Sequence, residues 1–187
     1  MKIFVRELTT REDLRRAMKT CLASDVVNEE MKPLSKKATR KALIQRHGSL
    51  NKYIFHIQAL APERVHSHLR THHLMNEFYQ CSTSRPDLVD NDGSYRVLDM
   101  YIPAKRLLEI FEVRACDCSW TETNEFFENL EWIILTQYPW FKNLLKPSCV
   151  YNGYCKEFKS DTCHYWNTQF VKDRKKLMEI VKEFKND

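Results

Sequence analysis

Glycine is scarce in this chain: among 187 residues only Gly48, Gly93 and Gly153 occur. Phosphate-cradling loops of the P-loop and dinucleotide-fold kinds need several glycines within a few positions. Both are therefore excluded, and any bound nucleotide must be held by side chains and helix ends. Long apolar runs are also missing, so no segment reads as a membrane span. The start, Met1-Lys2-Ile3-Phe4, lacks the charged-then-apolar order of a secretion signal. Charge is not blocked together either. The net +5 is spread along the chain and reads as a solvated surface ahead of a phosphate-attracting one. Seven cysteines, an odd number with no secretion signal, read as reduced thiols in a cytoplasmic protein.

What is present is ordinary for a soluble fold: 43% apolar and 29% charged residues, in a length that fits one domain over 1–187. Residues 2–6 read as a short strand. Thr10 reads as an N-cap, with Asp13 in the acidic first turn of a helix through Leu14, Met18 and Leu22. The polar stretch 25–36, with Pro33, reads as a loop. A second helix over 36–46 is expected to stop before Gly48. Residues 53–60 form the best strand pattern, with a hint of burial on both faces. Pro62 and Pro103 stand where helices can open. Residues 82–94 read as loop and 95–101 as a short strand. A helix over about 120–138 is ended by Pro139. The segment 147–187 is a Cys-rich tail followed by a charged helix over 169–185 with Phe170, Leu177, Ile180, Val181 and Phe184 on its apolar stripe.

The densest chemistry lies at 64–73, Arg-Val-His-Ser-His-Leu-Arg-Thr-His-His. His68 and His72 are spaced i,i+4 and share a helix face. Two such imidazoles can chelate a metal, but no HExxH motif accompanies them. Surface histidines, an anion-binding helix and a catalytic helix all remain open on this pattern.

The block Phe55-His56-Ile57, Pro62, Arg64 and His68-Leu69-Arg70-Thr71-His72-His73 resembles the strand-then-helix of the flavin-dependent thymidylate synthase (ThyX) family, which carries an Arg-His-Arg triplet. His72 falls on the central histidine, and Thr71 and His73 on the flanking arginines. Ser84-Arg85 resembles the Ser-x-Arg element that follows. A second block, from Pro103 to Ala115, resembles a further family helix, with Arg114 on the arginine that lies against the pyrimidine. Trp120, Glu122 and Pro139-Trp140 continue it in order. His47-Gly48-Ser49 is similar to an element that touches flavin. The resemblance covers about residues 14–145 in pieces.

The resemblance implies an α/β fold with a central, mainly antiparallel sheet flanked by helices. It implies FAD as cofactor, with NADPH and methylenetetrahydrofolate as co-substrates for converting dUMP to dTMP, in a homotetramer. Arg114 would be catalytic and bind substrate with His68, Ser84 and Arg85. His47, Ser49, Arg70, His72, His73 and Lys105 would hold the cofactor. Thr71 and His73 replace two permanent charges with a neutral group and a partly charged one. The alternatives are a relative that modifies another pyrimidine and a non-catalytic module that binds a nucleotide or nucleic acid. The aromatics, set at core-like spacing rather than between basic residues, argue against nucleic acid.

In the tail, Cys149, Cys155, Cys163 and His164 lack the paired C-x2-C knuckles of zinc ribbons. No metal is assigned, and these four residues are the set that would hold one. Cys116 and Cys118 read as small buried residues.

Overall fold

The computed structural model describes residues 2–21, 31–70, 78–81, 95–117, 119 and 121–185. The chain divides into two compact units, Met1–Leu107 and Leu108–Asp187.

The first unit is built on a four-stranded antiparallel sheet. Strands β1 (Lys2–Glu7), β2 (Ile54–Pro62), β3 (Phe78–Cys81) and β4 (Tyr95–Pro103) lie in the order β1-β2-β4-β3. Side chains alternate across the pleat, and the register decides which set is covered. Val5 pairs with Ile57, Ile57 with Met100, Phe55 with Ile102 and Ala59 with Leu98. All of these are buried. The opposite face carries Phe4, Arg6, His56, Gln58, Asp99 and Tyr101, of which His56 is buried and Phe4 and Gln58 are exposed. The expected double-sided burial of β2 thus holds at His56 and fails at Gln58. The edge strand β3 was not anticipated: Phe78–Cys81 is too short to show a period.

Helix α1 (Arg11–Cys21) begins at the cap read from the sequence. The Thr10 N–H donates to Asp13 Oδ2 at 2.8 Å, and the Asp13 N–H donates back to Thr10 Oγ1 at 3.4 Å. This reciprocal pair satisfies two amide donors that the first turn leaves open. In α2 (Lys36–Ile44) the Ser35 hydroxyl accepts from the Ala38 N–H at 3.1 Å. Helix α2 starts where expected and stops before Gly48, two residues short of Arg46. The reversal occurs at Arg46, with φ of 51°, where the Arg46 N–H bonds to Leu43 O and the His47 N–H to Ala42 O. That is a Schellman closure, with arginine in the left-handed position usually given to glycine. A 3-10 turn over Gly48–Lys52 then leads into β2, and α1 packs against this turn.

Pro62 and Pro103 also sit one residue from their expected places. Each is the last residue of its strand, and α3 (Glu63–Arg70) and α4 (Ala104–Arg114) begin at the next residue. A proline has no N–H to lose from a ladder end, so it fits there as well as in a first turn. Helix α3 packs on β2 and β4, and Val65 and Leu69 are its buried apolar residues.

Glu7, at the end of β1, accepts a hydrogen bond from the Tyr53 hydroxyl. Burial raises the Glu7 carboxyl above its ordinary value, against the lowering effects of Tyr53 and Arg11. A carboxyl with a raised native pKa binds its proton more tightly folded than unfolded. Its stabilising contribution is present below the unfolded value near 4.5 and is lost as pH rises through the folded value. Glu7→Gln keeps an acceptor for Tyr53 and removes the half-buried charge. It is expected to be at least as stable as the parent at neutral pH, and to lack the parent's gain on acidification. Thermal unfolding from about pH 4 to pH 8 measures both. A variant clearly weaker than the parent at neutral pH overturns the assignment.

Among its described residues the second unit holds helices and no strand. It holds the remainder of α4, α5 (Thr121–Gln137), α6 (Ser148–Asn152), α7 (His164–Thr168) and α8 (Phe170–Lys185), with a 3-10 turn at Pro139–Phe141. Its core is aromatic: Phe127 meets Phe111 at 5.0 Å and Phe126 at 5.3 Å, both edge to face. Helices α6 and α7 pack on α8, whose buried residues include Leu177, Ile180 and Phe184. Among the described residues, no helix is long and apolar enough to cross a membrane.

Candidate functional site

The residues singled out in the sequence fall on several elements. His47 and Ser49 flank the start of the 3-10 turn. The His47 Nδ1 stands 2.7 Å from the Ser49 hydroxyl and accepts from the Ser49 N–H at 3.2 Å. Ser49 is buried, so these two side chains cap the turn that delivers the chain to β2. His68 is half-buried on α3, and Arg70 is the last residue of that helix. Lys105 is half-buried in the first turn of α4. His72, His73, Ser84 and Arg85 lie outside the described residues, as does Thr71.

Helix α3 follows β2 with no intervening residue. It carries Arg64, His66, His68 and Arg70 within eight residues, with Glu63 as the acid of its first turn. His66 is buried and Arg64 exposed.

Arg114 closes α4 in the second unit, where the C-terminal end of a helix favours a cation. It is 7% exposed, and desolvation by burial lowers its pKa from the ordinary arginine value. Its backbone carbonyl accepts from the Ser119 hydroxyl at 3.0 Å. A guanidinium stays charged at neutral pH even when so lowered. A charge held this deep in a fold is costly unless something compensates it, and Arg114 is engaged within the protein.

The register of the sheet creates a polar cluster that the linear sequence concealed. The Arg6 Nε–H donates to His56 Nδ1 at 3.0 Å, and His56 Nε2 lies 2.7 Å from Asp99 Oδ1. Gln58 donates to the other Asp99 oxygen at 2.9 Å, and the Tyr101 ring stacks on the imidazole at 4.6 Å. Arginine can only donate, so Nδ1 accepts and the proton sits on Nε2, facing the carboxylate. Both ring nitrogens are thereby engaged. The imidazole has no free nitrogen to take a proton from a substrate, so the cluster positions Arg6, Gln58 and Tyr101 on one sheet face. The signal in the sequence was period-two spacing: Asp99 sits among apolar strand residues at the place that pairs with Gln58.

The second unit also holds a cleft of about 110 Å³, lined in part by Asp117, Asn124, Glu131, Lys146 and Tyr165. Small-molecule sites typically occupy about 300–1,000 Å³, so this cleft is too small for a flavin or a nucleotide. Beside it Lys146 Nζ meets Glu131 at 2.8 Å and buried Asp173 at 3.6 Å. The Tyr165 hydroxyl donates to Asp173 at 2.9 Å, and burial, followed by that carboxylate, pushes the phenol pKa up. Each charge has a partner, which is how such groups are tolerated inside a small fold.

Cys149 is buried on α6, Cys155 and Cys163 are half-buried, and His164 is exposed at the start of α7. Among the described residues, no group of three or more His, Cys, Asp and Glu side chains stands in a metal-holding arrangement. In comparison with known proteins, the chain matches no protein-family model and no curated protein sequence.

Proposed function

We propose that this chain is a flavin-dependent one-carbon transferase acting on a pyrimidine nucleotide, a divergent protein of the flavin-dependent thymidylate synthase type. In this reading FAD is reduced by NADPH, and methylenetetrahydrofolate supplies the one-carbon unit. Arg114 contacts the pyrimidine and stabilises the negative charge that develops on it. His68, Ser84 and Arg85 contribute to nucleotide binding. His47, Ser49, Arg70, His72, His73 and Lys105 contribute to the flavin side. The working form would be a homotetramer.

The observation that carries this reading is the direct passage of β2 into α3, which brings Arg64, His66, His68 and Arg70 onto one short helix. That arrangement agrees with the strand-then-helix order of the resemblance. It also supplies cations for a chain without a glycine-rich phosphate loop. Arg114, a buried guanidinium on a second helix, supports the same reading. The replacement of two arginines by Thr71 and His73 favours a pyrimidine other than dUMP.

The purified protein is expected to be yellow, or to become so on incubation with FAD and desalting, with the two visible bands of an oxidised flavin. A colourless protein that also fails to retain added FAD overturns the cofactor assignment.

A further inference from the structure

Four cysteines that play no part in the proposed reaction are gathered in the second unit. Cys116 follows the end of α4, Cys149 lies in α6, Cys155 follows the turn that ends α6, and Cys163 precedes α7 as its cap. None of the four is in a disulfide.

Backbone hydrogen bonds draw these segments together. Gly153 adopts φ of 83°, and its N–H bonds to Cys149 O at 2.7 Å, so the chain reverses and returns Cys155 toward Cys149. A side chain at this left-handed position would be strained, and its Cβ would also meet Arg174 Nη2 at 3.3 Å. The Cys163 N–H bonds to Lys159 O at 2.9 Å, closing the next turn. The Tyr165 N–H donates to the Asp117 carboxylate at 2.7 Å, which fixes the Cys163 segment beside Cys116. Asn167 adds a side-chain bond to Cys163 O at 3.1 Å.

The electrostatics report the same grouping. The Cys149 thiol is pushed up to about 12, first by burial and then by Cys116, Cys155 and Cys163. Ala115, Asp117, Pro147 and Tyr165 line one cleft, so the segments that carry Cys116, Cys149 and Cys163 come together around it. The thiols stand more widely than a closed metal shell. Cys116, Cys155 and Cys163 are half-buried and thus open to an incoming ion. The loop they flank has little apolar anchorage of its own: Phe158 is 91% exposed and Tyr154 is exposed. A loop of this kind is commonly held by a metal or a disulfide rather than by a core.

We propose that Cys116, Cys149, Cys155 and Cys163 bind one zinc ion as a tetrathiolate, closing about it from the spacing seen here. The ion fastens the 153–163 loop to α6 and to the segment after α4. Four thiols lose their protons to solvent, and four Zn–S bonds form with no change of oxidation state. Zinc suits the set because thiolate is its preferred structural ligand and tetrahedral four-coordination its usual geometry. Cys116 takes the fourth place that the tail spacing alone gave to His164. His164 is exposed and adjacent to Cys163, and neighbouring residues rarely reach one ion together.

The test is elemental analysis of the full-length chain, purified under reducing conditions and desalted. One zinc per chain is expected, released by an organomercurial thiol reagent. Cobalt should substitute with the intense visible bands of tetrahedral thiolate coordination. Cys116→Ser and Cys155→Ser, at half-buried positions, should lose the metal, while His164→Ala should keep it. Chelation should lower the Tm of the parent and not that of Cys116→Ser. The proposal is overturned by a chain that carries no zinc and takes up none. It is equally overturned by zinc retained in Cys116→Ser, or by disulfides among these cysteines in the mass spectrum. None of these outcomes bears on whether the protein binds flavin.

Discussion

Phe127→Ala is expected to destabilise the protein by about 3–5 kcal/mol, the usual range for emptying a buried phenylalanine site. Phe127 is 2% exposed on α5 and joins Phe111 of α4 to Phe126 by two edge-to-face contacts. Truncation removes the transfer free energy of the ring and both ring pairs, and leaves a cavity that helices cannot fully close. A loss of this size is comparable to the whole stability of many domains, which is about 5–15 kcal/mol. Trp132→Ala is the control: Trp132 lies on the same helix but is 70% exposed, so a change within about 0.5 kcal/mol is expected. Urea unfolding followed by circular dichroism compares the two. Equal losses would show that the aromatic cluster is not the centre of this unit.

The second large effect concerns ligand binding. Arg114→Met is expected to weaken binding of a pyrimidine nucleotide, with dUMP as the probe, by at least about 30-fold. Removing one partner of a desolvated, hydrogen-bonded charge pair typically costs about 2–5 kcal/mol, and about 1.4 kcal/mol is tenfold. Methionine is the informative substitution because Arg114 is buried. Alanine would open a cavity and mix folding with binding, whereas methionine keeps most of the stem and removes the charge. Arg114 is also engaged within the protein, so the Tm of the variant is measured beside its affinity. Calorimetric titration of parent and variant separates the two effects. Unchanged affinity in a folded Arg114→Met protein removes Arg114 from the site and with it the alignment of its helix.

The local elements were legible where a single residue type dictates geometry. Thr10 with Asp13 marked the start of α1, β-branched and aromatic residues marked β1, and 53–60 and 95–101 read as strands where β2 and β4 lie. The end of α2 was legible to within two residues, but the way it closes was not. The chain turns at Arg46, and that depends on two hydrogen bonds closing behind it rather than on a glycine. β3 escaped because four residues carry too little pattern, and it is defined by its partner β4. Of the candidate site residues, His47 and Ser49 proved to be bonded to each other in a capping turn. The Arg6–His56–Asp99 cluster was missed because its bonded pairs are separated by 50 and 43 residues.

The sequence by itself determined what depends on neighbours a few residues away: helix starts, strand-forming composition, and the exclusion of glycine-rich phosphate loops. Tertiary structure alone decided which face of the sheet is covered, since register sets that and register is a relation between distant strands. It also decided that His56 is locked between a guanidinium and a carboxylate, and that Cys116 joins the cysteines of the tail. Both follow from hydrogen bonds between segments far apart in the chain, which no local spacing encodes.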